Sequence, residues 1–232
     1  MANNLRVVIA AAGQGIRMGT KTNKQFIMLN NKPVITYSLD FFEKQEVVDE
    51  IIVVTSAKEL DFCRNEIIEK NHYQKVSAVL VGGQQRQDSV WVALQYLDPD
   101  TDFVAVHDGA RPLLSSDVLR RLLSEAGEWG AAIPGVASRD TIKMVNKDSF
   151  VRQTLDRNVI YSIQTPQVFK FKELFEAYKL AYEEGFYATD DSALFEKYIG
   201  QVKLVEGDYN NLKITTPLDL MVVKNLLSWT EE

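Results

Sequence analysis

Cysteine is nearly absent: Cys63 stands alone in 232 residues. That excludes a disulfide within the chain and suggests no cysteine-based zinc site. Cys63 falls in KELDFCRNEIIEK, which reads as a helix, and its expected role is a small, half-buried side chain. Positive charge is in deficit, with 26 Lys and Arg against 32 Asp and Glu and a net charge of −6. A general nucleic-acid coat is therefore not expected, and any phosphate binding must come from a local basic cluster. No apolar run approaches the roughly 18 residues needed to span a bilayer, so no membrane partner is expected. Residues 1–12 lack a basic leader and a cleavage site and run straight into a strand, so no signal peptide is expected and a cytoplasmic location is. There is no internal repeat and no low-complexity linker.

The remainder is ordinary for a globular protein: 46% hydrophobic and 25% charged residues, enough for one large α/β domain over 1–232. Strand-like and helix-like runs alternate. Residues 5–12, 49–55, 77–81, 102–106 and 131–136 read as strands, the first continuous and apolar as in a strand covered on both faces. Residues 33–45, 58–72, 86–97 and 115–129 read as helices, the last capped by Ser115 or Ser116. This order predicts a doubly wound, mainly parallel sheet. The pattern breaks over 137–164, which has a turn signal at Asn146-Lys147-Asp148 and reads as a β-hairpin arm leaving the sheet. Helices at 172–184 and 190–198, a strand at 201–205 and a last helix opening at Thr216-Pro217 complete the expected order.

Three stretches carry chemistry. The loop AAAGQGIRMGTKTNK follows the first strand. Gly13 and Gly15 fit the start of a dinucleotide fingerprint, but Met18 stands where a small residue is needed, and no phosphate-loop run G-x-x-x-x-G-K exists. What remains is a long basic loop whose backbone N–H groups can form an anion-binding concavity, with Arg17 and Lys24 able to reach the same phosphates. In VHDGARP, Asp108 sits past the carboxyl end of a buried strand, where open α/β sheets bind ligands and where a carboxylate suits magnesium shared with substrate phosphates. For His107 a structural hydrogen bond is preferred to a catalytic role, and His72, at a helix end, is given no function. In GGQQRQDS, a flexible turn and Ser89 occupy another strand-to-helix junction of the same edge. No Ser–His or Cys–His pair suggests covalent catalysis.

AAAGQGIRMGTKTNKQF, GGQQRQDSV, VHDGARP, RDTIK, LDR, QTPQVF, TDDSAL and NLKITTP follow in order across nearly the whole chain. Together they resemble the 2-C-methyl-D-erythritol 4-phosphate cytidylyltransferases of non-mevalonate isoprenoid synthesis. The resemblance implies a Rossmann-like fold of the nucleotide-diphospho-sugar transferase kind. It implies cytidylyl transfer from CTP to methylerythritol phosphate, with magnesium or manganese as cofactor. It also implies a homodimer interlocked through the 137–164 arm. Carried over by residue, Ala11, Ala12, Gly13 and Gly15 would line the nucleotide, and Gly83 and Ser89 would help read cytosine. Arg17, Lys24 and Lys213 would be the catalytic cations and Asp108 the metal ligand. Arg111, Thr141, Arg157, Thr165 and Thr189 would serve the second substrate. Gln84 and Asn210 depart from the pattern, each standing where an acidic residue is usual. A ribitol-5-phosphate cytidylyltransferase shares the KQF, QTPQ and NLKITT runs, but usually has Ala-Gly-Gly in the first loop and no LDR. A nucleotide-binding protein without turnover is the other alternative; none of Arg17, Lys24, Asp108 or Lys213 is missing.

Overall fold

The computed structural model describes residues 4–13 and 23–229. The strands β1 (Leu5–Ala11), β4 (Val48–Thr55), β5 (Val76–Val81) and β6 (Phe103–Asp108) lie parallel in the order β6-β1-β4-β5. Between β1 and β4 come a small ladder, β2 (Met28–Leu29) with β3 (Lys32–Pro33), and helix α1 (Val34–Glu43). Helices α3 (Arg86–Tyr96) and α4 (Ser116–Trp129) follow β5 and β6. The sheet continues through β7 (Ala131–Ala137) and β12 (Lys203–Glu206), which pair parallel. Strand β11 (Gln167–Lys170), which the sequence reading left out, inserts antiparallel between β6 and β7. Strand β10 (Tyr161–Ile163) runs in line with β11 along β7, and Gln164 N donates to Pro134 O at the break between them. The chain closes with α5 (Phe171–Glu184), α6 (Asp191–Tyr198) and α7 (Pro217–Trp229). The mixed α/β architecture with a mainly parallel sheet is as expected.

The alternation of β1 explains the two layers. Leu5, Val7 and Ile9 face a core shared with Phe42 of α1 and with Leu119 and Leu122 of α4. Val8 faces the other core, with Val90 and Leu94 of α3, Tyr178 of α5 and Phe195 of α6. Period-two alternation in a strand buried on both faces produces this division. Each such side chain, fully buried, contributes about 1.5–3 kcal/mol. A third, smaller cluster joins Leu29, Val34, Ile214 and Val223, and seats α7.

Two local expectations are corrected. Residues 58–72 do not form one α-helix: a 3-10 turn (Ala57–Glu59) leads into α2 (Leu60–Phe62) and then a π-helix (Cys63–Glu69). The wider winding still turns Cys63 and Ile67 into the core. Ser115 takes the N-cap position of α4, but its side chain makes no capping hydrogen bond. At α6, by contrast, Asp190 caps through a bond from Ala193 N.

Of the 137–164 segment, Ala137 ends β7 and Tyr161–Ile163 pairs back onto β7 in the main sheet. Between these ends the segment contains the ladder β8 (Lys143–Val145) with β9 (Val151–Thr154), and Asn146 Oδ1 accepts from Asp148 N and Phe150 N at the turn. Its apolar side chains are uncovered in this chain, with Phe150 and Val159 each 71% exposed.

Candidate active site

Parallel pairing brings four strand ends to one edge. Ala10 is in register with Asp108, Ala11 with Thr55, and Thr55 with Val81. The segments that follow these strands therefore converge at the carboxyl edge, where open α/β sheets hold ligands.

Of the expected nucleotide residues, Ala11, Ala12, Gly13, Gly83 and Ser89 lie among the described residues at this edge. Gly82 N donates to Thr55 O, and a β-carbon on Gly82 would stand 2.6 Å from Ser89 Oγ and 2.8 Å from Ala12 Cβ. A β-carbon on Gly83 would stand 2.3 Å from Asp88 Cβ. Only glycine fits this approach of turn to helix. Ser89 donates its hydroxyl to Gln85 O, and Gln85 N donates to Asp88, closing a capping box on α3. Gln25, from the KQF run, donates its amide to Ala11 O and, at 3.2 Å, to Gly13 O. That side chain fixes the exit of β1, and Lys24 precedes it in the 3-10 turn Lys24–Phe26. Arg17 and Gly15 lie outside the described residues.

Asp108 is the electrostatic centre. Arg86 Nε lies 3.1 Å from its Oδ1 and Lys213 Nζ 2.5 Å from its Oδ2. Burial opposes ionisation, but Arg86 first and Lys213 next outweigh it and hold the carboxyl far below the usual carboxylate range. The backbone N–H of Asp108 donates to Thr165 Oγ1. His107 is fully buried, and burial drives its imidazole down to about 3. Its Nε2 lies 3.2 Å from Arg111 O, which only accepts, so Nε2 carries the proton and Nδ1 accepts from Thr165 at 3.1 Å. A neutral, hydrogen-bonded His107 agrees with the structural role read for it.

The remaining expected residues divide. Arg111 is buried and donates to Asn211 O and Ile163 O, tying the loop after β6 to the NLKIT run. Thr165 is buried beside Asp108, whereas Thr189 is exposed just before the Asp190 cap. Thr141 and Arg157 are exposed on the arm, where Arg157 Nη1 donates to Arg139 O. Among the described residues, no group of three or more His, Cys, Asp and Glu could hold a metal ion.

Sequence reasoning passed over Arg86 and Asp191. Arg86 Nη1 and Nη2 donate to the two oxygens of Asp191 at 2.9 and 2.7 Å, and Tyr178 donates to Asp191 at 2.5 Å. Both residues stand in motifs that carried the resemblance, RQDSV and TDDSAL, but their pairing joins segments far apart in the chain.

The sequence model of the 2-C-methyl-D-erythritol 4-phosphate cytidylyltransferases matches residues 5–228. The chain belongs to this family. The family enzyme from Caldanaerobacter subterraneus subsp. tengcongensis is 43% identical over 224 residues, covering 97% of this chain and 99% of that protein. The one from Clostridium acetobutylicum is 40% identical, covering 95% and 96%. The crystal structure of 4-diphosphocytidyl-2C-methyl-D-erythritol synthase from Anaerococcus prevotii superposes with a TM-score of 0.86 at 30% identity, covering 98% of this chain and 97% of that one. The cytidylyltransferase structure from Thermus thermophilus gives a TM-score of 0.78 at 29% identity, with 96% and 98% covered. These cytidylyltransferases favour neither the ribitol phosphate nor the non-catalytic alternative. No helix among the described residues is long and apolar enough to cross a membrane.

Proposed function

We propose that the chain transfers the cytidylyl group of CTP to 2-C-methyl-D-erythritol 4-phosphate, releasing pyrophosphate and giving 4-diphosphocytidyl-2-C-methyl-D-erythritol. The observation that carries this reading is the cation–carboxylate cluster of Arg86, Asp108 and Lys213, set beside the Gly82–Ser89 cradle in a chain matched to the family over residues 5–228.

A phosphate oxygen of the alcohol substrate attacks the α-phosphorus in line with the departing pyrophosphate. That nucleophile is already an anion and needs no general base. The barrier lies in bringing anions together while charge builds on the α-phosphoryl oxygens, so positioning and fixed charge dominate. Ala11, Ala12, Gly13, Gly15, Gly83 and Ser89 hold the nucleotide in this reading. Arg17, Lys24 and Lys213 act on the phosphates. Thr165, Thr189 and Arg111 shape the second pocket.

Among the described residues, a divalent cation would find a single carboxylate here, Asp108, already paired to Arg86 and Lys213, and would depend on substrate phosphates for its other ligands. Hard cations such as magnesium are held by one or two carboxylates plus substrate phosphates, and Asp108 is an ionised carboxylate at this edge. Asp108 would hold the cation once Lys213 moves from Oδ2. Bound there, magnesium or manganese would neutralise phosphate oxygens.

The arm is read as a dimer element of this one-domain chain. Phe150, Val151 and Val159 are apolar and exposed, which supports a second copy as their cover. Thr141 and Arg157 would then complete the partner's pocket. A cytoplasmic location agrees with the soluble substrates. The test is pyrophosphate release with CTP across a panel of phosphate alcohols. Turnover with methylerythritol phosphate alone is expected; a preference for ribitol phosphate, or silence with every alcohol, would overturn the reading.

A further inference from the structure

The turn after β12 has one end in the candidate site and the other at the root of the arm. At the site end Asn211 is buried; its carbonyl accepts from Arg111 and its amide donates to Thr165 O. At the root, Gly207 N donates to Gly135 O at 2.8 Å, and a β-carbon on Gly207 would stand 3.2 Å from Gly135 N and O. Gln164 closes on the turn from β10, donating to Asp208 O at 2.7 Å and accepting from Asp208 N. The turn is therefore fastened to β7 and β10, the two strands from which the arm departs.

Tyr209 stands between these ends and reaches out to the arm. Its hydroxyl donates to Ala137 O at 2.9 Å, on the last residue of β7. The Arg139 guanidinium lies over its ring, 3.7 Å from the centroid. A guanidinium so placed is attracted by the negative face of the ring. Ser138, between the two contacted residues, donates its N–H to Ile160 O and so joins the outgoing leg of the arm to the returning one. The carbonyl of Arg139 accepts in turn from Arg157 Nη1 at 3.4 Å. Contacts thus run from the site turn, through Tyr209 and Arg139, to Arg157. Tyr209 is itself 43% exposed, so it adds little to the core. Its tip and its face are both spent on the root of the arm, where they fix direction.

Building on the arm reading above, we propose that Tyr209 is a positioning residue for the second substrate. It sets the angle at which the arm leaves its own chain, and so places Thr141 and Arg157 in the partner's pocket. Its effect then falls on the other subunit's site. A residue that merely stiffened its own turn would act instead on Asn211 and Lys213 of the same chain.

Steady-state kinetics of the full-length protein give KM for methylerythritol phosphate and for CTP separately. Tyr209→Leu removes ring and hydroxyl together, and should raise KM for methylerythritol phosphate about tenfold while KM for CTP stays within about twofold. Tyr209→Phe keeps the ring under Arg139 and should raise it by only about threefold. Thermal denaturation and light scattering confirm folding and assembly of each variant. Tyr209→Leu is then paired with Lys24→Met, and mixed dimers are isolated through two affinity tags. Their working site lies in the Tyr209→Leu chain and takes its arm, with an unaltered Tyr209, from the Lys24→Met chain. KM for methylerythritol phosphate should return there to within about twofold of the unaltered protein. Arg157→Ala, paired in the same way, is the control and should recover too. Three results would overturn the proposal: an unchanged KM in Tyr209→Leu, an equal rise for CTP, or a KM still raised in its mixed dimers when those of Arg157→Ala recover. A monomeric unaltered protein, or no recovery in the mixed dimers of Arg157→Ala, would overturn the shared-arm reading itself, and this inference with it.

Discussion

Gly82 and Ser89 approach so closely that a β-carbon on the glycine would lie 2.6 Å from the serine hydroxyl oxygen. No side chain is tolerated there without displacing the start of α3. Gly82→Ala should therefore fold, because the change lies at a surface turn, but shift Ser89 and Ala12 apart. A fall in kcat/KM for CTP of about 100-fold is expected, the order for misplacing a bound reactant by about an ångström. Steady-state kinetics with circular dichroism as the folding control check it. Unaltered kinetics would remove this cradle from nucleotide binding.

Lys24 follows the basic loop and sits beside Gln25, which clamps the end of β1. Serving the transition state more than ground-state binding, it should be missed mainly in turnover. Lys24→Met is expected to lower kcat by ~100-fold or more, with a smaller change in KM for CTP. Near-normal turnover in the purified variant would exclude it from the mechanism.

If Asp108 holds a divalent ion with the substrate phosphates, activity should vanish with excess chelator and return with magnesium or manganese. Asp108→Asn should depress the rate and its metal dependence together. Full activity in chelator argues against the assignment.

The secondary structure was legible where burial imposes a period. Strands β1 and β6 are continuous apolar runs covered on both faces, and such runs announce themselves. Strand β11 did not, because QVFK is four residues long and leads directly into α5. The π-helix from Cys63 to Glu69 was hidden for a different reason: its apolar residues Cys63 and Ile67 are four apart, as on an α-helix, so the pattern does not report the wider ring. At the site, Asp108 was readable as a carboxylate at the carboxyl end of an apolar run, and the structure makes it the last residue of β6. Arg86 was not. A lone arginine in the first turn of a helix looks like a solvated side chain, and its buried counter-ion stands 105 residues later.

The arm offers a test of subunit sharing. If Arg157 completes the partner's site while Lys24 serves its own, Lys24→Met and Arg157→Ala are each inactive but complementary. Refolded together in equal amounts, about half the dimers are mixed, and each mixed dimer has one intact site, so roughly a quarter of all sites recover. Activity at background despite verified mixed dimers would show that Arg157 serves its own chain.

Cys63 is fully buried, and burial, assisted by Glu59, pushes its thiol up to about 12 from 9.0. A raised acid pKa means that the folded chain keeps a proton that the unfolded chain releases. The associated stability is present below 9.0 and is lost as pH rises from there towards about 12. Thermal midpoints should accordingly fall with alkalinity across that window. A thiol reagent near neutral pH should label the native protein far more slowly than the urea-unfolded one. Equal labelling rates would contradict the burial.

The bond from Arg86 to Asp191 spans 105 residues and fastens the first turn of α3 to the first turn of α6. A chain emerging from the ribosome cannot make it until α6 has been synthesised, so the charged edge of the sheet is completed late, after the parallel strands β1, β4, β5 and β6 are available to pair. Once made, the bond links the two halves of the chain at the carboxyl edge of the sheet, beside Asp108. Fraying of α6 must release the guanidinium that holds Asp108, and amide exchange in α6 becomes a gauge of whether the site is assembled.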